Sequence, residues 1–355
     1  MSELSLCIKV KKNYGEKTLI LANKLGISNR ELKVHLGANH IYVPLFRQPE
    51  KSELAKLKKQ VPNFELATKV FAKKQQRKTL VQLLKNRLPP HLLASLPRAL
   101  DIIGDIAIIE IPSELKAHES LIGEAILKTH KNVRVVLAKT GAVSGTYRLR
   151  SLEVIAGEHR TNTVHKEYGC QYHVDVATAY FSPRLSHEHD RIASLVQKSE
   201  TVVDLFAGVG PFSVLIAKKN EEAKVYAVDI NPEAVEFLKR NIRLNRVEKR
   251  VIPILGDAKQ VVKQRLLGVA DRVLMNLPEK AIEFVETACK AIKPAGGIVH
   301  YYEFIRLPDC IENAQTRFSE AAEKAGRNVD AFLSAKNVRA TAPYEWQVVL
   351  DAKIL

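Results

Sequence analysis

The sequence predicts an α/β protein: a Rossmann-like, doubly wound C-terminal domain preceded by a small N-terminal α/β module and a middle mixed α+β module. Three observations predict it. Beyond Arg191 an apolar strand, a glycine turn and a helix recur in sequence, the rhythm of a parallel sheet with crossover helices. Between residues 79 and 176 the apolar residues fall instead into short alternating runs with few helical stretches. A lysine-rich passage from Glu50, ending in Lys73-Lys74-Gln75-Gln76-Arg77-Lys78, interrupts the pattern and sets the first module apart.

In chain order, residues 1–62 form the N-terminal module, with strands Leu4–Val10 and His40–Leu45 around a helix at Lys17–Leu25. Like charge and polarity make 63–78 a basic linker. Residues 79–176 follow, with a helix at Leu80–Leu84, a turn at Pro89-Pro90, a strand at Ile106–Ile111 and a helix at Ser120–Thr129. Strands are expected next at Val133–Ala138, Tyr147–Ile155 and Tyr172–Val176. Within 177–355 the strands are Val202–Ala207, Val225–Ile230, Val251–Gly256, Arg272–Leu277, Gly297–Phe304 and Trp346–Ile354.

Charge narrows the partners. Lysine plus arginine number 55 against 39 acidic residues, a net +16 that suits a polyanion or an anionic membrane. No apolar run approaches ~20 residues, and Met-Ser-Glu-Leu-Ser lacks a signal-peptide pattern, so nucleic acid is the expected partner and the cytoplasm the expected location. Neither a membrane nor an obligate protein partner is expected. Cys7, Cys170, Cys289 and Cys310 lie far apart without a Cys-x-x-Cys pair, which indicates neither zinc nor a disulfide framework. His173, His187 and His189 have no ordinary metal-ligand spacing, and no metal is expected.

The strongest local signal is Asp204-Leu205-Phe206-Ala207-Gly208-Val209-Gly210-Pro211-Phe212, a strand entering a glycine turn and then a helix. Glycine permits positive φ and close approach of a ligand, and the helix start offers unpaired N–H groups. Ser213 stands where a dinucleotide fingerprint wants its third glycine, and Asp204 would bring a carboxylate near a pyrophosphate, which disfavours NAD. Asp229, 25 residues after Asp204, ends the next strand before Ile230 and suits a pair of ribose hydroxyls. Asp257 ends the third strand, where it can accept from an adenine amino group. Together these residues resemble the class I S-adenosylmethionine methyltransferases, which implies that cofactor.

After the fourth strand, Asn276-Leu277-Pro278 stands where amino methyltransferases carry Asn-Pro-Pro-Tyr, with Leu277 for the first proline and Glu279 where an aromatic would stack. An asparagine there can bond the edge of a planar nitrogenous ring. The same triplet, with Tyr147-Arg148-Leu149-Arg150, Ala156-Gly157-Glu158, Tyr180-Phe181-Ser182-Pro183-Arg184-Leu185 and His300-Tyr301-Tyr302, resembles the archaeal and eukaryotic-type tRNA (guanine-37 N1)-methyltransferases. The start of the chain, Cys7 to Lys12 with Tyr14-Gly15-Glu16, is similar to that family's N-terminal module. The resemblance covers nearly the whole chain.

Carried over, the resemblance implies Glu188 as general base, Arg148 as its electrostatic partner and Asn276 holding the guanine with Pro278 packed against it. Cofactor-binding candidates are Asp204, Phe206, Gly208, Gly210, Asp229, Ile230, Asp257 and Asn276; substrate-binding candidates are Tyr180, Arg184, Pro278 and Arg150. The chemistry asks for such a set, because neutral guanine carries a proton on N1 that a base must remove, while negative charge builds on O6. By itself, Glu188 suits a solvated helix start better than catalysis, and Arg148 with Arg150 on one strand face equally suits phosphate binding. Phe181 is either a stacking ring or a buried strand end. The implied partner is tRNA, bound at its anticodon loop and, through the N-terminal module, at its body. Open alternatives are methylation of C7 of the wyosine precursor at the same nucleotide, transfer of the cofactor's aminocarboxypropyl group, and a non-catalytic RNA-binding scaffold.

Overall fold

The computed structural model describes residues 2–74, 79–141, 145 and 147–355. The chain forms two compact units, Met1–Lys78 and Thr79–Leu355.

The first unit contains β1 (Ser2–Lys11), α1 (Gly15–Lys24), β2 (His35–Leu36), β3 (His40–Pro44), α2 (Lys51–Gln60) and β4 (Glu65–Ala72). Its antiparallel sheet runs β2-β3-β1-β4. Ile8 and Val10 of β1 meet Leu21 and Ala22 of α1 and Leu57 of α2 in one core. The expected linker is corrected here: residues 65–72 pair with β1 from Ser2↔Ala72 to Lys9↔Glu65, and Phe71 is buried with Cys7 and Leu32. Glu65, Thr68 and Lys69 scatter polar side chains over both faces of that strand, a pattern that reads as linker. The lysine-rich run before it is a helix, started by the reciprocal Glu50/Glu53 capping box. Arg47 grips Glu53 at 2.7 and 2.8 Å and holds that carboxyl at about 2. Arg77 and Lys78 of the expected linker lie outside the described residues.

The second unit opens with α3 (Leu80–Leu84), α4 (Pro90–Ala94), β5 (Leu100–Ile103), β6 (Ile106–Ile109), α5 (Glu119–Thr129), β7 (Val135–Lys139) and β8 (Leu152–Gly157). The sheet runs β5-β6-β7-β8, and Ile122, Ala125 and Ile126 of α5 close one face of it. The expected strand from Tyr147 begins only at Leu152. Arg148 sits in a turn with φ 56°, so Arg148 and Arg150 do not share a strand face. A hairpin of β9 (Asn162–Glu167) and β10 (Cys170–Asp175) follows, turned by Tyr168 and Gly169 at positive φ; β9 was not expected, its alternation being polar on both faces.

The remaining elements are α6 (Ser186–Leu195), β11 (Thr201–Asp204), α7 (Pro211–Lys219), β12 (Lys224–Asp229), α8 (Pro232–Leu244), β13 (Val251–Leu255), α9 (Ala258–Arg265), β14 (Arg272–Met275), α10 (Val285–Ala291), β15 (Gly297–Arg306), α11 (Ile311–Lys324), β16 (Val329–Ala342) and β17 (Glu345–Ile354). They build a seven-stranded sheet, β13-β12-β11-β14-β15-β17-β16, parallel through β15 and antiparallel at β17 and β16. Chain order reverses beside β11, which opens a crevice at the carboxyl ends of β11, β12 and β14.

Two asparagines one turn apart on α8 bind the edge of β10 as a neighbouring strand would. Asn241 Oδ1 accepts from the His173 N–H at 2.7 Å and its Nδ2 donates to the His173 carbonyl at 3.0 Å. Asn245 does the same with Gln171, at 2.9 and 2.7 Å. Each buried amide is thereby satisfied and the strand edge is closed.

Candidate active site

The crevice holds a cleft of about 240 Å³. Its floor is the turn after β11. Gly208 and Gly210 adopt φ 56° and 93°, and a Cβ on Gly208 would meet only the Tyr180 carbonyl, at 3.7 Å. That bare backbone is a cradle open to a ligand. Gly208 N–H donates to Asp229 Oδ2 at 2.6 Å and Asn231 N–H to Oδ1 at 2.9 Å. Burial pushes the Asp229 carboxyl up, against those two backbone donors. Asp257 lines the cleft and caps α9, accepting from Gln260 N–H at 3.1 Å. Phe206, Ile230, Ala258 and Phe284 give the same cleft an apolar lining, with Phe206 edge-on to Phe284 at 4.9 Å. Two acidic groups and an apolar lining in one cleft fit a flat ring joined to a sugar diol, so the residues fit S-adenosylmethionine.

The same cleft carries hydrogen-bond donors. Arg148 lies over the Tyr180 ring, 5.5 Å from its centroid, and donates to Glu279 Oε1 at 3.0 Å. Its Nε is buried with no partner among the described residues. Asn276, Leu277 and Pro278 follow β14 into the cleft, and Asn276 Oδ1 accepts from Gln347 Nε2 at 3.1 Å. The structure therefore gathers Arg148, Asn276, Pro278, Tyr180, Phe206, Gly208, Asp229, Ile230 and Asp257 around one space.

Other expected residues lie elsewhere. Asp204 is fully buried and does not line the cleft: Ser213 Oγ–H donates to its Oδ2 at 2.7 Å and Phe206 N–H to its Oδ1 at 3.4 Å, which turns the carboxylate inward. Burial raises that carboxyl to about 7. Gly210 caps α7 two residues beyond Gly208, the last of this turn to line the cleft, and packs against Leu238. Arg184 forks onto Asp101 at 2.5 and 3.0 Å, binding the Pro183–Leu185 turn to β5, and Arg150 is half-buried outside the cleft. Phe181 packs on Tyr172 and His165 within the core.

Glu188, 5% exposed, does not line the cleft either. Its Oε1 accepts from Tyr302 OH at 2.9 Å and from Arg191 Nε at 2.8 Å, while Lys336 Nζ lies 4.0 Å from Oε2. Leu185, one turn earlier on the same helix face, does line it. Behind Glu188, Arg191 bonds Asp351, Asp351 bonds His300 and His300 bonds Arg272. Arginine only donates, so His300 Nε2 accepts from Arg272 and Nδ1–H donates to Asp351. Burial would raise the Asp351 carboxyl, but His300 and Arg191 outweigh it and hold it well below the carboxylate range.

Sequence reasoning missed Arg339, Gln347, Phe284 and Phe304, which also line the cleft. Arg339 and Gln347 come from the terminal hairpin, far from every motif, and no local pattern marked them. No helix among the described residues is long and apolar enough to cross a membrane.

Residues 163–330 match the TRM5/TYW2 methyltransferase domain, 80–161 the TYW2 N-terminal domain and 7–53 the tRNA methyltransferase 5 N-terminal domain. The chain is 39% identical over 351 residues to the tRNA (guanine(37)-N(1))-methyltransferase Trm5b of Pyrococcus abyssi, covering 99% of each chain. The solved structure of wild-type Trm5b from Pyrococcus abyssi superposes with a TM-score of 0.71 at 37% identity, covering 99% of both chains. That of aTrm5 in complex with tRNALeu superposes at 0.69 with 34% identity, covering 99% of this chain and 100% of the other.

Proposed function

Because the chain belongs to the TRM5/TYW2 methyltransferase family, we propose that it is an S-adenosylmethionine-dependent tRNA methyltransferase acting on N1 of guanine 37. The observation that carries this reading is the meeting, in one cleft, of the Asp229 and Asp257 carboxylates with the Arg148 and Asn276 donors. Similarity to a guanine-37 N1 enzyme across 99% of both chains, with a tRNA methyltransferase 5 module at 7–53, favours N1 over C7 of the wyosine precursor.

Asp229 would take the ribose hydroxyls of the cofactor and Asp257 the adenine amino group, with Phe206, Ile230 and the bare Gly208 backbone holding the ring. Bound there, S-adenosylmethionine supplies an electrophilic methyl that requires in-line alignment and no metal. The target base must leave its stack to enter the cleft, where Tyr180 and Pro278 receive it and Asn276 bonds its edge. Arg148 meets the negative charge that develops on O6, a stabilisation felt mainly in the transition state.

Glu188 is the base that removes the N1 proton, through Oε2, since Tyr302 and Arg191 occupy Oε1. It lies one turn behind Leu185, and catalytic contacts of this kind tighten only when substrate is bound. The basic first unit holds the tRNA body.

The test is incubation of the protein with unmodified tRNA transcript and labelled cofactor, followed by nucleoside analysis. We expect 1-methylguanosine at position 37, with Glu188→Gln slowing single turnover by roughly 10² or more while cofactor affinity stays within about threefold. Methyl label at another nucleotide, or undiminished turnover by Glu188→Gln, rejects the reading. Label acquired only on tRNA carrying the wyosine precursor would move the acceptor to C7.

A further inference from the structure

Asn276 is joined to two residues of the terminal hairpin. Gln347, 1% exposed, sits on β17 directly opposite Arg339 of β16. Arg339 Nε donates to Gln347 Oε1 at 2.9 Å, and Gln347 Nε2 donates to Asn276 Oδ1 at 3.1 Å. Arg339 Nη1 also reaches Ser182 Oγ at 3.5 Å, next to Tyr180. A carboxamide can be turned end for end, so its polarity ordinarily depends on its neighbours. Here the first member of the row is a guanidinium, which has no acceptor. Gln347 must therefore point its oxygen at Arg339 and its amino group at Asn276, and Asn276 must point its oxygen at Gln347. Asn276 Nδ2, with no partner among the described residues, is left facing the cleft as a donor.

We infer that Arg339 and Gln347 are positioning residues that fix the hydrogen-bond polarity of Asn276, so that the acceptor site offers N–H groups and selects guanine over adenine. Guanine presents O6 and N7 as adjacent acceptors on one edge, whereas adenine places an amino donor where O6 would be. Arg148 lines the same cleft and adds a second donor. Adenine would set donor against donor there, leaving buried polar groups unpaired, which discriminates more strongly than a missing contact. This inference rests on the guanine reading above.

The substitution that tests it is Gln347→Glu, compared with Gln347→Met. Glutamate at 347 pairs with Arg339 but has no donor for Asn276, which must turn over and present its oxygen to the cleft. Methionine at 347 makes no demand, and Asn276 keeps access to both orientations. We expect kcat on guanosine-37 transcript to fall about two- to fivefold for Gln347→Met and at least about tenfold further for Gln347→Glu, with KM for tRNA changed less than about threefold in both. A purely structural role gives the opposite ranking, because glutamate keeps the partner of Arg339 and methionine removes it. Arg339→Met, which frees Gln347 to turn, should resemble Gln347→Met and serves if the buried glutamate fails to fold. Gln347→Glu as active as Gln347→Met, a loss appearing in KM alone, or Arg339→Met retaining full kcat would overturn the inference. Wild-type protein that does not methylate guanine in the same assay would instead overturn the functional reading.

Discussion

Asp204→Asn isolates the cost of one buried carboxylate under the cofactor turn. Burial raises this carboxyl from 3.8 to about 7, roughly three units, and each unit is about 1.4 kcal/mol between protonation states. A carboxyl that holds its proton more tightly folded than unfolded gives the native state extra bound protons between about pH 4 and pH 7. Its stabilising contribution is complete below pH 4, declines as pH rises across that window and is level above it. Asparagine does not titrate, yet it can keep both contacts, its oxygen accepting from Phe206 N–H and its amino group donating to Ser213 Oγ. Stability of Asp204→Asn relative to the wild type should therefore grow by about 2–4 kcal/mol from pH 4 to pH 7.5. Urea unfolding followed through Trp346, the chain's single tryptophan, measures it. Cofactor affinity should change less than about threefold, since Asp204 does not line the cleft. Parallel stability curves for the two proteins across that pH range would refute the reasoning.

Three further perturbations probe the site and its supports. Arg148→Ala should lower single-turnover methylation by roughly 10² with unfolding unchanged, because its one ion pair among the described residues is with the half-exposed Glu279; a rate within threefold of wild type removes Arg148 from the chemistry. Gly210→Ala must hold φ 93° with a Cβ 2.4 Å from Leu238 Cδ1, so it should lose about 2–4 kcal/mol and at least roughly 5 °C in Tm, and an unchanged melting curve contradicts the geometry. Deleting 1–78, the whole first unit, should weaken tRNA binding and flatten its salt dependence while S-adenosylmethionine still binds; calorimetry that finds the same tRNA affinity argues against a role for this unit in tRNA binding.

How far the sequence could be read differs from element to element for physical reasons. The central strands were legible because strands covered on both faces are continuous apolar runs, as in Val202-Val203 and Val273-Leu274-Met275. The long β16 was not, since it is an edge strand with register shifts whose Lys336, Asn337 and Arg339 break any alternation. Spacing located Asp204 at a strand tip but carried no information on where its side chain points. Ser213, noticed only as an obstacle to NAD, is the partner that turns it inward. Glu188 likewise needed the fold, because Tyr302, Arg191 and Lys336 approach it from different elements.

The attachment of the β9–β10 hairpin to α8 has a consequence for how the middle and C-terminal parts of the second unit respond to solvent. Asn241 and Asn245 are neutral amides whose contacts neither titrate nor weaken as counterions accumulate. The Arg184–Asp101 fork, which fastens β5 to the segment ahead of α6, is an exposed ion pair that does weaken. Concentrated electrolyte should thus weaken the tie between β5 and that segment while leaving β10 in register on the helix that begins beside Asp229.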